Sequence, residues 1–176
     1  MVERLTNWEA GVTELRTARL LLRRAQADDL EAMHAVLSDP PAMRYWSTPP
    51  HETIEETRRW LASMLDADSA TSEDFVVVKD GQVIGKAGAW QIPEIGFILR
   101  SDHWGQGLAR EALDSVITHL FAARGLPVLT ADVDPRNVAS LGLLRSLGFR
   151  ETGRAERTWR VGDEWCDSVY LEKSRP

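Results

Sequence analysis

Two closely spaced glycines separate a predicted β-strand from a predicted helix, and this junction constrains the fold more than any other feature of the chain. The strand is predicted at 94–100 (EIGFILR). Gly105 and Gly107 follow within HWGQGLAREAL, and apolar residues recur at helical spacing from Leu108. Glycine weakens any regular element that it interrupts. The pair therefore indicates either a simple turn or a point where a bound group comes close to the backbone.

Strands and helices alternate through the rest of the chain. Strands are predicted at 19–25, at 75–90 as a hairpin that turns at Asp80-Gly81, and at 94–100, 126–133, 149–161 and 165–172. Helices are predicted at 28–39, 53–65, 108–124 and 134–148, and 66–74 is predicted as a loop. This order predicts one α/β (α+β) domain over residues 1–176 with a mixed sheet, in which residues 1–15 form an N-terminal extension.

Composition and charge argue against several classes of function. The 176 residues are 43% hydrophobic and 27% charged, which is typical of one globular domain, and the net charge is −6. The arginines are scattered without a basic run, so we expect no nucleic-acid partner. No segment approaches the ~18 consecutive apolar residues of a membrane helix, and the charged first residues do not resemble a signal peptide. We therefore expect no membrane association.

Cysteine and histidine are too sparse for a disulfide framework or a metal site. Cys166 is the single cysteine, which fits a reducing compartment, so we expect a cytoplasmic protein. The four histidines, at 34, 51, 103 and 119, do not have the spacing of metal ligands. We therefore expect no bound metal.

The glycine pair before the helix is a candidate anion site. The first N–H groups of a helix lack partners, and the helix dipole favours negative charge there. Two nucleotide-binding motifs do not fit. The dinucleotide motif GxGxxG requires glycine where Arg110 stands, which argues against a nicotinamide-dependent oxidoreductase. The P-loop requires a lysine followed by serine or threonine, and the stretch has neither.

The wider pattern resembles the GNAT superfamily of acetyl-CoA-dependent N-acetyltransferases. The matching segments are EIGFIL, WGQGLA and NVASLGLLRSLGF at 137–149. The pyrophosphate loop of that family, written R/Q-x-x-G-x-G/A, is matched at Trp104, Gly107 and Ala109, with tryptophan in place of the usual arginine or glutamine. RLLLRRAQADD, MRYWSTPP and GDEWCDSVYLE resemble its RimJ/RimL-like branch of ribosomal-protein N-terminal acetyltransferases. The resemblance covers about residues 16–172.

This resemblance implies a GNAT fold, a mixed and mostly antiparallel sheet of about seven strands flanked by four helices. It implies acetyl-CoA as the cosubstrate, with the pyrophosphate on the backbone of 105–110 and the pantetheine arm paired like a strand with 97–99. A backbone N–H there would help to polarise the thioester carbonyl. The residues implied in binding coenzyme A are Phe97, Ile98, Leu99, Trp104, Gly105, Gln106, Gly107, Leu108, Ala109, Arg110, Asn137 and Ser140.

Glu94 is the candidate general base. An amine is protonated at neutral pH, and a carboxylate could remove its proton directly or through water. Strand alternation puts Glu94 on the same face as Gly96, which leaves room beside the carboxylate. The alternative is a solvated glutamate at the start of a strand.

Ser140 is the candidate general acid. Many members of the family carry a tyrosine seven residues after the asparagine that corresponds to Asn137, and this tyrosine protonates the departing thiolate. Leu144 occupies that position here, so the resemblance implies Ser140 in its place. The alternative for Ser140 is a hydroxyl that bonds the helix backbone.

The acceptor side is predicted to include a cation, several aromatic residues and an acid. The candidates are Arg44, Tyr45, Trp46, Trp165 and Asp167. One of the two aromatics at 45 and 46 could instead fill the core, and Asp167 could pair with an arginine. Cys166 has no recognisable base partner, which argues against a covalent acetyl-cysteine intermediate.

The chain is therefore expected to be an enzyme, an N-acetyltransferase that moves acetyl from acetyl-CoA directly to a primary amine. The resemblance points to a protein N-terminal α-amine. The alternatives are an amino acid, polyamine or antibiotic as acceptor, or a coenzyme A-binding module without turnover. The net acidity favours a cationic acceptor. The edges of the sheet are compatible with a homodimer.

Overall fold

One eight-stranded sheet runs through the molecule in the computed structural model, which describes residues 14–176. The strands are β1 (Glu14–Arg16), β2 (Leu21–Arg23), β3 (Glu73–Lys79), β4 (Gln82–Gln91), β5 (Glu94–Leu99), β6 (Val128–Val133), β7 (Arg150–Val161) and β8 (Glu164–Ser174). They lie in the order β1-β2-β3-β4-β5-β6-β8-β7. Neighbours are antiparallel except β5 and β6, which are parallel. The mixed, mostly antiparallel sheet is confirmed.

Five α-helices connect these strands within residues 14–176, close to the four that the sequence predicts. They are α1 (Leu30–Leu37), α2 (Pro40–Met43), α3 (Ile54–Leu65), α4 (Leu108–Ala122) and α5 (Val138–Ser146). The additional helix, α2, is a single turn that begins at two prolines, in a segment whose prolines predict a linker. The additional strand is β1: most of the predicted extension at 1–15 lies outside the described residues, and its last two residues begin β1.

Helices cover both faces of the sheet and divide the apolar core in two. On one face, α4 and α5 pack on β3 to β6 and β8 through residues such as Leu113, Leu120 and Leu144. On the other face, α1, α2 and α3 cover the strands around Val76 and Ile98. None of the helices in the described residues is long and apolar enough to cross a membrane.

Local sequence signals account for the turns and helix ends that frame this sheet. Asp80 and Gly81 both have positive φ, 49° and 79°, as the predicted two-residue hairpin turn requires. Thr53 and Glu56 form the predicted capping box at the start of α3. The turn at Gly162-Asp163 joins β7 to β8 as predicted.

A buried carboxylate joins β3 to α4. Glu73 has a side chain that is 2% exposed, and it accepts hydrogen bonds from Arg24 and Arg124, each at 2.7 Å. The His119 ring of α4 lies 3.5 Å from the same carboxylate. Burial alone would raise the pKa of Glu73, but the His119 ring and the two guanidinium groups outweigh burial and hold the pKa below its ordinary value. The last two residues of the loop predicted at 66–74 therefore belong to β3, and the first of them, Glu73, forms a buried ion pair.

Strands β5 and β6 diverge soon after they meet. Their only register pair in the described residues joins Glu94 to Thr130. Beyond Gly96 the edge of β5 that faces β6 has no strand partner in residues 14–176, while its other edge pairs with β4 as far as Leu99. An extended chain can therefore add to this edge by hydrogen bonding to the backbone.

Candidate active site

Two cavities meet at the divergence of β5 and β6. The first, which we call the loop cavity, has a volume of about 820 Å³ and lies between the end of β5, the glycine loop at 104–107 and the first turns of α4 and α5. The second, which we call the acidic cavity, has a volume of about 590 Å³ and lies on the α1–α3 face of the sheet. Arg44, Tyr45 and Trp46 line both. A molecule in one cavity is therefore next to a molecule in the other.

The glycine loop presents bare backbone to the loop cavity. Gly105 and Gly107 have φ of 70° and 76°, which few other residues adopt. A Cβ at Gly105 would have nothing within 4 Å, so the space beside it is open. Gly107 is the N-cap of α4 and contributes no side-chain cap, so the first N–H groups of the helix have no capping partner. This open, positively polarised backbone fits a pyrophosphate group.

The start of α5 forms the opposite wall of the loop cavity. Asn137 is the N-cap residue, and its Oδ1 accepts a hydrogen bond from the Ser140 backbone N–H at 3.2 Å, so its side-chain NH₂ faces no described partner. Ser140 is half-buried and its hydroxyl makes no hydrogen bond within residues 14–176. Leu144 is fully buried in the core. Position 144 therefore supplies no group that could protonate a departing thiolate. The Ser140 hydroxyl has no partner in the described residues and is available for that role.

The acidic cavity combines carboxylates with aromatic rings. Its floor is formed by β3 to β6, and its walls by α3, the β7–β8 hairpin and the segment at 44–47. The carboxylates are Asp74, Glu94, Asp132, Asp134, Glu164 and Asp167, and the rings are Tyr45, Trp46, Trp60, Trp90 and Trp159. Carboxylates and aromatic faces both favour cations.

Gly96 leaves part of the floor of the acidic cavity without a side chain, and Gly88 allows β3 and β4 to approach closely beside it. Gly88 and Gly96 are direct register partners on β4 and β5. A Cβ at Gly88 would lie 2.4 Å from the Glu73 carbonyl oxygen, so no side chain fits there. Glu94, which is half-buried, lies at the start of β5 and accepts a hydrogen bond from Trp90 Nε1 at 3.0 Å through Oε1. The Trp90 indole therefore orients the Glu94 carboxylate without neutralising it.

A buried ion pair closes the cavity beside this floor. Lys86 Nζ donates to Asp74 Oδ2 at 2.6 Å, and the two side chains are 3% and 8% exposed. Lys86 Nζ also lies 5.7 Å from the centre of the Trp46 ring. The Oδ1 atom of Asp74 is buried without a hydrogen-bond partner in the described residues.

Arg136 neutralises two carboxylates where the cavities adjoin. Its guanidinium group donates to Asp134 at 2.7 Å and to Glu164. Burial alone would raise the pKa of Asp134, but the hydrogen bonds from Arg136 outweigh it and lower the pKa. Burial raises the pKa of the neighbouring Cys166 thiol, which reduces its thiolate fraction and argues against a covalent acetyl-cysteine route.

Most predicted site residues lie in one of the two cavities. Those in the loop cavity are Phe97, Ile98, Leu99, Trp104, Gly105, Gly107, Leu108, Ala109, Arg110, Asn137 and Ser140. Glu94 and Asp167 line the acidic cavity. Asp167 accepts a hydrogen bond from the backbone N–H of Arg157 at 2.8 Å, and it has no arginine ion pair in the described residues. Trp46 also packs against the core, so both interpretations of that residue apply.

Two predicted residues line neither cavity. Trp165 is 47% exposed on β8 and stacks under the Arg157 guanidinium, 5.1 Å away. The carbonyl of Gln106 accepts a hydrogen bond from Arg19 Nη1 at 2.8 Å and so faces the β1–β2 turn. Trp165 lies between Glu164 and Cys166, which both line the acidic cavity, so alternation along β8 places it on the opposite face of the sheet.

Sequence reasoning missed several residues around the site. Arg19 anchors the glycine loop, because it also pairs with Glu111 of α4 at 2.7 Å. Asp132 accepts a hydrogen bond from Trp159 Nε1 at 2.9 Å. An aspartate near the end of the mostly apolar β6 strand was a signal that could have found it. No local pattern links Arg19 to Gln106, since they are far apart in the sequence.

Comparisons with known proteins agree with this geometry. A family model described as an acetyltransferase (GNAT) domain matches residues 19–150. The uncharacterized N-acetyltransferase p20 of Bacillus licheniformis is 31% identical over 148 residues, which cover 79% of this chain and 83% of that protein. The spermidine N(1)-acetyltransferase of Escherichia coli (strain K12) is 26% identical over 161 residues, 85% of this chain and 83% of that protein.

The fold also has solved counterparts. The ribosomal-protein-S5-alanine acetyltransferase from Vibrio fischeri superposes with a TM-score of 0.76 at 20% identity, over 93% of this chain and 99% of that one. A family match over most of the chain, a relative above 30% identity and a shared fold all point the same way. This chain belongs to the GNAT family of N-acetyltransferases, whose acetyl donor is acetyl-CoA.

Proposed function

We propose that the chain transfers acetyl directly from acetyl-CoA in the loop cavity to a primary amine in the acidic cavity. The observation that carries the proposal is the wall that the two cavities share at Arg44, Tyr45 and Trp46. Two bound molecules that meet at such a wall can react without a covalent enzyme intermediate. Holding them together supplies much of the catalysis, because the step becomes effectively unimolecular.

The loop cavity would hold acetyl-CoA through backbone groups. The bare loop at Gly105 and Gly107 suits the pyrophosphate, and the unpaired edge of β5 suits the pantetheine arm. The free NH₂ of Asn137 would donate to a pantetheine carbonyl. A backbone N–H of Phe97, Ile98 or Leu99 would polarise the thioester carbonyl.

Two side chains would manage the protons. Glu94 would accept a proton from the ammonium group, directly or through water, and the free amine would then attack the thioester carbonyl carbon. The C–N bond forms, the C–S bond breaks, and the thiolate leaves with the electron pair of that bond. Ser140 would donate a hydrogen bond or proton to the thiolate.

The acceptor that we propose is a protein N-terminal α-amine, in line with the branch that the sequence resembles. A small-molecule amine is the alternative, and the likeness to a spermidine acetyltransferase supports it. The third alternative is a module that binds coenzyme A without catalysing acetyl transfer, and a turnover assay distinguishes it from an enzyme. A cytoplasmic location and a homodimer through the sheet edges at β1 or β7 stay predictions.

The decisive experiment combines binding with turnover. Thermal shifts are measured with acetyl-CoA, coenzyme A, NADH and ATP, and a ligand at a hundred times its Kd should add about 2.7 kcal/mol to the stability of the fold. Release of free thiol from acetyl-CoA is then followed with peptides, diamines and amino acids as acceptors. Shifts with both coenzyme forms and thiol release with an amine support the proposal. Shifts without turnover for any amine would favour a binding module.

Arg19→Ala should weaken acetyl-CoA binding without abolishing turnover. The substitution removes the hydrogen bond to the Gln106 carbonyl and the ion pair with Glu111, so the loop loses its preorganised shape. Two partly exposed contacts predict an increase in KM for acetyl-CoA of about fivefold, with a smaller change in kcat. The matched control is Arg16→Ala, since Arg16 pairs only with Glu14 in the described residues. Equal KM values for both variants would show that Arg19 does not shape the loop.

A further inference from the structure

We infer that the acidic cavity binds an acceptor with two positive charges, the reacting amine at Glu94 and a second cation at Asp132, with Asp167 as a further negative charge in the same cavity. The inference rests on the proposed function for the role of the cavity and adds the class of acceptor. The chemistry is that of a diamine, or of a peptide whose amino terminus is followed closely by a basic side chain. A monoamine would fill only the first position.

The cavity holds more carboxylates than its cations neutralise. Of its six carboxylates, Asp134 and Glu164 are paired with Arg136, and Asp74 is paired with Lys86. The remaining lining cation, Arg44, lies over the Tyr45 ring and has no carboxylate within 4.0 Å in the described residues. Three carboxylates are left without an ion pair in residues 14–176: Glu94, Asp132 and Asp167.

Each of these three carboxylates is fixed by one neutral donor. Glu94 accepts from the Trp90 indole, Asp132 from the Trp159 indole at 2.9 Å, and Asp167 from the Arg157 backbone at 2.8 Å. Neutral donors orient a carboxylate without cancelling its charge. The second oxygen of each accepts no hydrogen bond from the described residues, and all three side chains are only half-buried. They are preorganised to receive cationic donors.

The sheet register separates the two positions. Glu94 lies opposite Thr130, so Asp132 lies two residues further along the parallel strand, roughly 7 Å away along its axis. Asp132 lies opposite Tyr170 of β8, so Asp167 lies three residues, roughly 10 Å, further along that strand. Glu94 and Asp132 therefore face the cavity from two points whose separation a short alkyl chain between two amino groups covers.

The aromatic walls of the cavity also favour a dication. The Trp159 indole lies beside the second position and holds the Asp132 carboxylate through its N–H group. Low-polarity aromatic walls strengthen both attractions, because they exclude water.

The test compares acceptors that differ only in the second charge. The kcat/KM for 1,4-diaminobutane is measured against 1-aminobutane, and that for a tripeptide amide with lysine at its second position against its alanine counterpart. We expect at least a tenfold preference for the dication in one pair or both, as one charge-assisted contact predicts. A preference confined to the peptides identifies a basic side chain as the second cation, and one confined to the diamines identifies a small molecule.

Isosteric variants locate the second charge. Asp132→Asn and Asp167→Asn keep the oxygen that accepts from Trp159 or Arg157 and remove only the charge. Asp132→Asn should reduce the dication preference about tenfold, and Asp167→Asn should have a smaller effect, because Asp167 lies further from Glu94. The matched control is Asp163→Asn, since Asp163 is fully exposed at the hairpin turn and lines neither cavity. Its preference ratio should equal that of the parent.

Failure of the inference and failure of the proposed function give different results. Equal kcat/KM values for dications and monoamines overturn the inference and leave the acetyltransferase proposal intact. If no amine is acetylated, the proposed function fails. Calorimetric titration of 1,4-diaminobutane and of 1-aminobutane into the protein saturated with coenzyme A then tests whether the second-cation site exists. Equal affinities in that titration overturn it, and a diamine preference that Asp132→Asn removes supports it.

Discussion

Glu94→Gln should lower kcat by about 10²- to 10⁴-fold, the usual contribution of a general base. Glutamine keeps an oxygen to accept the Trp90 indole hydrogen bond, so the local structure is preserved while the basic site is lost. The amine then has to lose its proton to solvent before it attacks. The measurement is steady-state thiol release with a saturating amine, together with the thermal shift caused by coenzyme A, which should not change.

The pH dependence gives this prediction a second readout. Peptide α-amines have pKa values near 8 and alkyl amines near 10, so the fraction of free amine rises as the pH approaches the value for the acceptor used. The deficit of the Gln variant should therefore shrink at high pH, because the substrate no longer needs a base. A merely structural role for Glu94 predicts a deficit that is the same at all pH values. Activity equal to the parent at neutral pH would remove Glu94 from the mechanism.

Ser140→Ala is the companion variant and should have a smaller effect. A thiol has a pKa of about 8.5, so a thiolate leaves without full protonation and loss of the acid costs about tenfold in kcat. Ser115→Ala on α4 is a suitable control, because Ser115 lines neither cavity. If both serine variants match the parent, the thiolate is protonated by another group or by solvent.

Glu73→Ala should be the most destabilising single substitution outside the apolar core. It leaves Arg24, Arg124 and His119 around an empty site, and breaking a buried ion pair from one side costs about 3–5 kcal/mol. Both arginines are partly exposed, so the loss should fall near the lower end of that range. Urea denaturation of the parent, Glu73→Ala and Glu73→Gln gives the free energies of unfolding, with Gln intermediate. Glu156→Ala, on the exposed part of β7, is the control.

The same carboxylate should make the fold sensitive to acid. The pKa of Glu73 in the folded chain lies below its ordinary value of 4.5, so its contribution to stability is complete above about pH 4.5 and is lost as the pH falls through the lowered pKa. The free energy of unfolding should therefore decline more steeply below pH 4.5 in the parent than in Glu73→Ala. Parallel declines would mean that other carboxylates dominate the acid response.

Features that depend on local sequence were predictable. Asp80-Gly81 specifies its hairpin turn, Thr53 and Glu56 specify a helix start, and the glycines at 105 and 107 mark the loop before α4. Each requirement is met within a few residues, by a backbone conformation or a cap. The resemblance added the placement of Asn137 and Ser140, which propensity alone does not supply.

Features that depend on tertiary contacts were not predictable. Glu73 looks like a solvated loop residue until Arg24 and Arg124 approach it from distant parts of the chain. The bulge in β7 between Ala155 and Trp159, which shifts the hairpin register, is another feature of this kind. Long-range ion pairs and bulges leave no periodic trace in the sequence, so only the folded structure reveals them.

The wall formed by Arg44, Tyr45 and Trp46 has a consequence for how the two substrates affect each other. These residues belong to both cavities, and the guanidinium groups of Arg44 and Arg136 lie 5.2 and 5.6 Å from the centre of the Tyr45 ring. Any rearrangement of the wall that accompanies binding of one substrate changes the surface offered to the other. Thermodynamic linkage then requires that the factor by which acetyl-CoA alters the affinity for the amine equals the factor by which the amine alters the affinity for acetyl-CoA. The wall thus makes the binding of donor and acceptor a single coupled equilibrium, whichever substrate enters first.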